Sequence, residues 1–272
     1  LKNLAAAVQG KMQEKGLAAE QVEGVGVGVP GPVLDSRIVP IICANLGGWG
    51  KHNVAEELGG MLSGIKVLVG NDANVAALGE IWMGAAKGCR SAVMVTLGTG
   101  VGGGVIVNGK VIDGTHGAGG EIGHLTVDRH ETAACGCGKH GCLEQYASAT
   151  GISRLARKKM EHETRATILT KEDLSAKAVF DAVKEGDEVA IEVATEMGNY
   201  LGHAMADMAA VLDPAVFVIG GGVSKAGEVL LSFIEKPFME KAFFANKNVK
   251  FKLATLGNDA GICGAAKLVL ED

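Results

Sequence analysis

Apolar residues near the start of the chain recur at helical spacing. Leu4, Ala7, Val8 and Met12 predict a helix over residues 2–16. The run VEGVGVGVPGPV at 22–33 reads as a strand entering a Gly/Pro turn. A helix follows over 51–62, then a short buried strand, IKVLVG at 65–70, and a helix over 73–85. Residues 91–112 alternate as a β-hairpin, with two β-rich runs around a glycine turn and a second turn at 108–110. Helical patterns return at 146–160, 175–185 and 188–211. AVFVIGGGVS at 215–224 predicts a strand, a glycine turn and a helix start with Ser224 as its N-cap. A strand at 249–254 and a helix at 259–270 complete the pattern, which argues for an α/β fold. The polar run at 157–173 reads as a surface excursion, and no repeat or low-complexity segment interrupts the pattern.

Composition narrows the class. Of 272 residues, 47% are hydrophobic and 21% charged, the balance of a globular chain. The 41 glycines have no collagen-like period, so they serve tight turns and close approaches of backbone to ligand. A net charge of −5 without a basic block gives no electrostatic footprint for nucleic acid. No apolar run reaches the roughly 20 residues of a membrane span, and no signal peptide is visible, so the cytoplasm is the expected compartment. Six cysteines in a reducing compartment do not make a disulfide framework. The chain opens at Leu1 inside a helical pattern, and an N-terminal segment is expected ahead of it.

The thiols are instead clustered. CGCGKHGC at 135–142 places Cys135, Cys137 and Cys142 within eight residues, with glycines that let a short loop wrap an ion. Three thiolates and one imidazole make the closed tetrahedral set of a structural Zn²⁺ site. His124, His130 and His140 compete for the fourth place. Cys43, Cys89 and Cys263 stand alone and read as small buried residues.

Acidic residues flank this cluster. NDAN at 71–74 puts Asp72 where a buried strand ends and a helix begins, the place where α/β sheets bind ligands. Asn71 or Asp72 is equally suited to cap that helix. Glu121 lies three residues before His124, and Glu144 two residues after Cys142, so a bound metal would brace both acids as a polar ligand site. Taken singly, each Glu reads as a solvated surface acid. Two glycine turns complete the candidate chemistry. In LGTGVGGG at 97–104, backbone N–H groups and the Thr99 hydroxyl can approach phosphate oxygens. GGGVS at 220–224 opens onto a helix start, which favours anions.

Together, the segments at 71–74, 96–124, 135–144, 217–224 and 256–266 resemble the ROK family (repressor, open reading frame, kinase) of the actin-like ATPase superfamily, over essentially the whole chain. The resemblance implies a two-lobed actin-like (ribonuclease H-like) α/β fold, N-terminally truncated in this chain. The small lobe would comprise residues 1–75 with the helix at 259–272, and the large lobe residues 76–258 with the zinc loop. It implies ATP-dependent phosphorylation of the 6-hydroxyl of a hexose, glucose first, with Mg²⁺ and a structural Zn²⁺. Asp72 would be the base, and Asn45, Asn71, Glu121, His124 and Glu144 would hold the sugar. Gly98, Thr99 and Gly100 would hold the transferring phosphate, and Gly220, Gly221 and Gly222 the adenosine side. His124, Cys135, Cys137 and Cys142 would ligate the metal. The phosphate-contacting D-x-G-G-T run of the family's kinases would precede Leu1, and a homodimer without nucleic-acid or membrane partners is implied. The alternative reading is the sugar-sensing effector domain of a ROK-type transcriptional regulator. A third is a metal-braced fragment without activity of its own.

Overall fold

The computed structural model describes residues 1–39 and 51–270. The predicted alternation appears as nine helices and nine strands among those residues: α1 Lys2–Lys15, β1 Val25–Val29, β2 Ile38–Val39, β3 His52–Asn53, α2 Val54–Met61, β4 Val67–Asn71, α3 Asp72–Met83, β5 Ala92–Leu97, β6 Val101–Val107, β7 Lys110–Val111, α4 Glu144–Ala147, α5 Ala149–Met160, α6 Ala176–Lys184, α7 Glu188–Leu212, β8 Val216–Gly220, α8 Glu228–Lys241, β9 Lys250–Leu253 and α9 Asp259–Leu270. None of these helices is long and apolar enough to cross a membrane.

A five-stranded sheet in the order β7-β6-β5-β8-β9 forms the larger core. β5 and β6 are the predicted hairpin, antiparallel from Ala92↔Ile106 to Leu97↔Val101. The second turn is as tight as its Asn-Gly implies: Asn108 and Gly109 both take positive φ, 54° and 82°, and Val107 pairs with Lys110. β8 adds in parallel to β5, and β9 in parallel to β8. One face of this sheet packs on α5–α8 through a continuous core around Ile152, Phe180, Met197, Leu201, Phe217 and Phe238. A smaller core around Val39, Val54, Leu58 and Val69 joins the parallel pair β1–β4 to α1 and α2.

α3 runs between the two cores, and α9 lies against it. Glycines allow the approach: a Cβ on Gly79 would meet Ala260 O at 2.1 Å, and one on Gly264 would meet Val75 O at 1.5 Å. On its other side α3 touches β6, where a Cβ on Gly104 would strike the Ala77 Cβ at 2.5 Å. The glycine run at 102–104 therefore lies within a strand: Gly102 and Gly104 make room for α3, and Gly103 makes room on the other face for Gly120 and Ile122.

Two local expectations are corrected. Ser224 does not cap a helix. It sits inside a 3-10 turn, its hydroxyl donating to Gly221 O at 2.7 Å, and α8 begins later, at Glu228 with Gly227 as N-cap. The helix expected over 146–160 is two helices broken at Ser148, whose hydroxyl donates to Glu144 O (2.6 Å) and accepts from Gly151 N (2.9 Å) to cap α5.

Candidate active site and metal cluster

β4 delivers the first acidic residue. Its last residue, Asn71, is the N-cap of α3, accepting from Ala73 N and Asn74 N at 3.0 and 3.1 Å, while its amide donates to Gly31 O. Because Asn71 does the capping, Asp72 is released to face outward at the helix start. Its Oδ1 accepts from Ala73 N at 2.8 Å. Desolvation raises the Asp72 carboxyl above its ordinary value, and the Ala73 N–H bond partly offsets the shift.

Asp72 opens onto a cavity of about 430 Å³ lined also by Thr96, Gly98, Gly100, Glu121, His124, Glu144 and Gly221. The structure thus brings together four of the polar candidates, Asp72, Glu121, His124 and Glu144, from three separate segments. Glu144, at the start of α4, turns back to the β5–β6 turn, where Oε2 accepts from Val101 N at 3.2 Å. The bare Cα of Gly100 makes this possible, because a Cβ there would stand 2.2 Å from Glu144 Oε2. Gly221 holds φ at +84°, open to glycine, with its backbone packed on Leu97.

Other candidates lie elsewhere. Asn45 is outside the described residues. Asn71 sits behind the cavity as a cap. Thr99 is exposed at the hairpin turn, its carbonyl accepting from Thr150 Oγ1 at 2.7 Å. Gly220 belongs to β8 and pairs with Thr96. Gly222 lines a second cavity of about 380 Å³ with Ser175, Phe180, Lys184, Val223 and Lys225. Gly221 and Gly222 are neighbours in the chain, so the glycine turn contributes to the lining of both cavities. Thr96 was legible only as a strand residue, and the residues of α6 carried no sequence signal for a ligand wall.

Beside the first cavity, one ligand atom each from His124, Cys135, Cys137 and Cys142 lies within 4.8 Å of the others. Of the three candidate histidines, it is the His124 ring that stands with the three thiols among the described residues. The Cys137 and Cys142 sulfurs are 3.7 Å apart, and Cys135 Sγ is 3.9 Å from His124 Nδ1. Zn–S bonds of about 2.3 Å in a tetrahedron separate two sulfurs by about 3.8 Å, so the set fits that ion. Burial and the two neighbouring thiols push the Cys142 thiol up to about 12, a shift that metal coordination reverses by deprotonating it. A further bond, Cys135 Sγ to Glu144 Oε1 at 3.5 Å, joins cluster and cavity.

The loop carrying the cluster has its own anchor. The Tyr146 hydroxyl lies 2.8 Å from both Asp128 Oδ2 and Glu131 Oε2, and Arg154 Nη1 donates to Glu131 Oε2 at 2.7 Å. The Arg154 guanidinium also covers the Tyr146 ring at 4.9 Å. Hydrogen bonds from Ala133 N, Arg154 and Tyr146 outweigh desolvation and lower the Glu131 carboxyl to about 2.

A family model described as ROK family matches residues 2–272. The chain belongs to the ROK family. A glucokinase from Halalkalibacterium halodurans is 40% identical over 99% of this chain and 82% of its own length. Among solved structures, a ROK family glucokinase from Streptomyces griseus in complex with glucose and AMPPNP superposes with a TM-score of 0.78 at 32% identity, over all of this chain and 88% of that one. A ROK hexokinase from Thermus thermophilus gives 0.83 at 32% identity, over 100% and 86%. The ROK fold explains why the hairpin turn, the α3 start and the metal loop converge, although they are scattered through the sequence.

Proposed function

We propose that this chain transfers the γ-phosphoryl group of ATP to the 6-hydroxyl of a hexose, with glucose as the first substrate. The observation that carries the reading is the cavity that gathers Asp72, Glu121, His124 and Glu144 against a glycine turn. A hexose presents hydroxyls that both donate and accept, and two carboxylates, an imidazole and backbone N–H groups match that pattern. Asp72 is the base that takes the proton from the attacking hydroxyl, and its raised pKa makes it a better proton acceptor than an ordinary aspartate. Phosphoryl transfer needs placement and charge neutralisation more than covalent help. The turn at Gly98–Gly100 and Gly221 holds the phosphates, and the second cavity, entered at Gly222, takes the nucleoside. Lys184 and Lys225 add positive charge there. Mg²⁺ enters with the nucleotide, as an oxygen-seeking cation bound to its phosphates.

Zn²⁺ is held by His124, Cys135, Cys137 and Cys142 in this reading and supplies rigidity, not Lewis-acid chemistry, because four protein ligands leave no open position. His124, which lines the cavity, and the short backbone from Cys142 to Glu144 would tie the metal site to one wall of the sugar site. Residues 1–75 with 259–272 and residues 76–258 act as two lobes whose closure excludes water from the transfer. A sugar-sensing regulator would need the hydroxyl-binding set but not the base, so Asp72 favours the kinase. The test is ADP release by the full-length protein over a panel of hexoses. Release with glucose is expected, whereas glucose binding without release would replace the kinase with the sensor.

A further inference from the structure

The reaction above gives no task to Asn74, yet Asn74 is 1% exposed in the first turn of α3, two residues after Asp72. Its amide donates to Asp113 Oδ1 at 3.0 Å. Its own Oδ1 is buried with no hydrogen-bond partner among the described residues. Apolar side chains at both Asn74 and Asp113 would leave nothing unpaired, so a half-satisfied amide on a carboxylate is a poor choice for stability alone.

Asp113 points to what the amide does. It starts the segment that carries Glu121, and it holds that segment at two ends. Its carbonyl accepts from Gly119 N at 2.7 Å, closing the loop over 113–119. Its carboxylate reaches α3 through Asn74. Gly120 is then pressed between α3 and β6: a Cβ there would stand 3.2 Å from Asn74 Oδ1 and 2.8 Å from Gly103 O, and its φ is +89°. Glu121 follows at once. Burial raises the Asp113 carboxyl, and the Asn74 amide works against that shift, as expected of a pair held partly away from water.

We propose that Asn74 and Asp113 are a positioning pair that sets the separation between Asp72 on α3 and Glu121 on the loop. In the proposed reaction, on which this inference rests, the pair fixes the base relative to a group that holds the sugar's other hydroxyls. Neither residue lines the cavity, so the pair acts through the two segments it joins. Misplacement of a reacting group by about 1 Å can cost on the order of a hundredfold in rate.

The test is a double-mutant cycle in the full-length protein with Mg·ATP and glucose. Asn74→Leu and Asp113→Leu are each expected to lower kcat and raise KM for glucose, with kcat/KM down about tenfold or more. The melting temperature should stay near wild type. The double variant should lose no more than the worse single one, because each substitution breaks the same link. Asp113→Asn keeps an acceptor for the Asn74 amide and should recover most of what Asp113→Leu loses. Wild-type kcat/KM in both leucine variants, or additive losses in the double, overturns the pair. If Asn74→Leu does not fold, the comparison of Asp113→Asn with Asp113→Leu decides: equal losses overturn it. Should wild type release no ADP with any hexose, the kinase reading fails separately. Glucose affinity by calorimetry then decides for the pair, and unchanged affinity in Asp113→Leu overturns it.

Discussion

Cys135 Sγ lies 3.5 Å from Glu144 Oε1, and the same carboxylate reaches Val101 N with its other oxygen. One side chain thus spans from the thiol cluster to the glycine turn. His124 belongs to both cluster and cavity, and Glu144 follows Cys142 by two residues, so a shift of the cluster moves the cavity wall whether or not the Cys135 thiol keeps its proton.

Metal removal should therefore affect binding before folding. Elemental analysis is expected to find about one zinc per chain, as the closed four-ligand set requires. Stripping it, or replacing Cys137 with Ser, should weaken glucose binding by tenfold or more while far-UV circular dichroism stays close to native, an effect of about the size seen when metal supports are lost. The Tyr146–Glu131–Arg154 anchor holds the loop without the ion. A zinc-free protein that binds glucose at full strength would remove the brace.

Asp72→Asn should keep glucose affinity and lose turnover by about 10²–10⁴-fold, the usual contribution of a placed base. Turnover within about tenfold of wild type would defeat the assignment. In wild type, kcat/KM should fall on the acid side with a midpoint above the ordinary aspartate value of 3.8, because desolvation raises this carboxyl. The same shift has a stability sign. A carboxyl that holds its proton more tightly when folded loses stability as pH rises through its folded value. Asp72→Asn removes that penalty, so its melting temperature at neutral pH should be no lower than wild type.

Gly100→Ala tests the packing of the sugar wall. The new methyl would overlap Glu144 Oε2, which must leave Val101 N to make room. KM for glucose is expected to rise on the order of tenfold, with a smaller change in KM for ATP. Equal effects on both would place Glu144 away from the sugar.

Glu131→Gln tests the anchor. The glutamate's value of about 2 against an ordinary 4.5 means that its contribution is full above about 4.5 and fades as pH falls toward 2. Wild type should lose this stability in that window, and the glutamine variant should be less stable at neutral pH by roughly 2 kcal/mol and show a flatter acid limb. Parallel acid profiles for the two proteins would refute the assigned role.

Much of this was legible in the sequence because the chemistry is dense. Cysteines separated by glycines, an Asp at a strand end and a strong β-hairpin pattern each carry a local physical reason. What was not legible depends on approach in space. Nothing in the run 102–104 distinguishes a phosphate loop from a strand packed on both faces, and only the bare Cα atoms of Gly102 and Gly104 against Ala73 and Ala77, and of Gly103 against Gly120 and Ile122, decide it. Ser224 looked like a cap because a Ser after glycines usually is one, but the 3-10 turn consumed its hydroxyl. That the His124 ring stands with the thiols is visible only once the loop is closed. Asn74 could not be told from any helix-start Asn until Asp113, far along the chain, was beside it.

The seating of α9 has a consequence for how the molecule is made. A Cβ on Gly26 would stand 1.9 Å from Ala265 O, so β1 rests directly on α9, a helix synthesised long after it. During translation, β1, β4 and α3 must wait with one wall bare until α9 leaves the ribosome. Asp72 opens α3, so the helix that carries it is fully packed only once α9, made later, has docked.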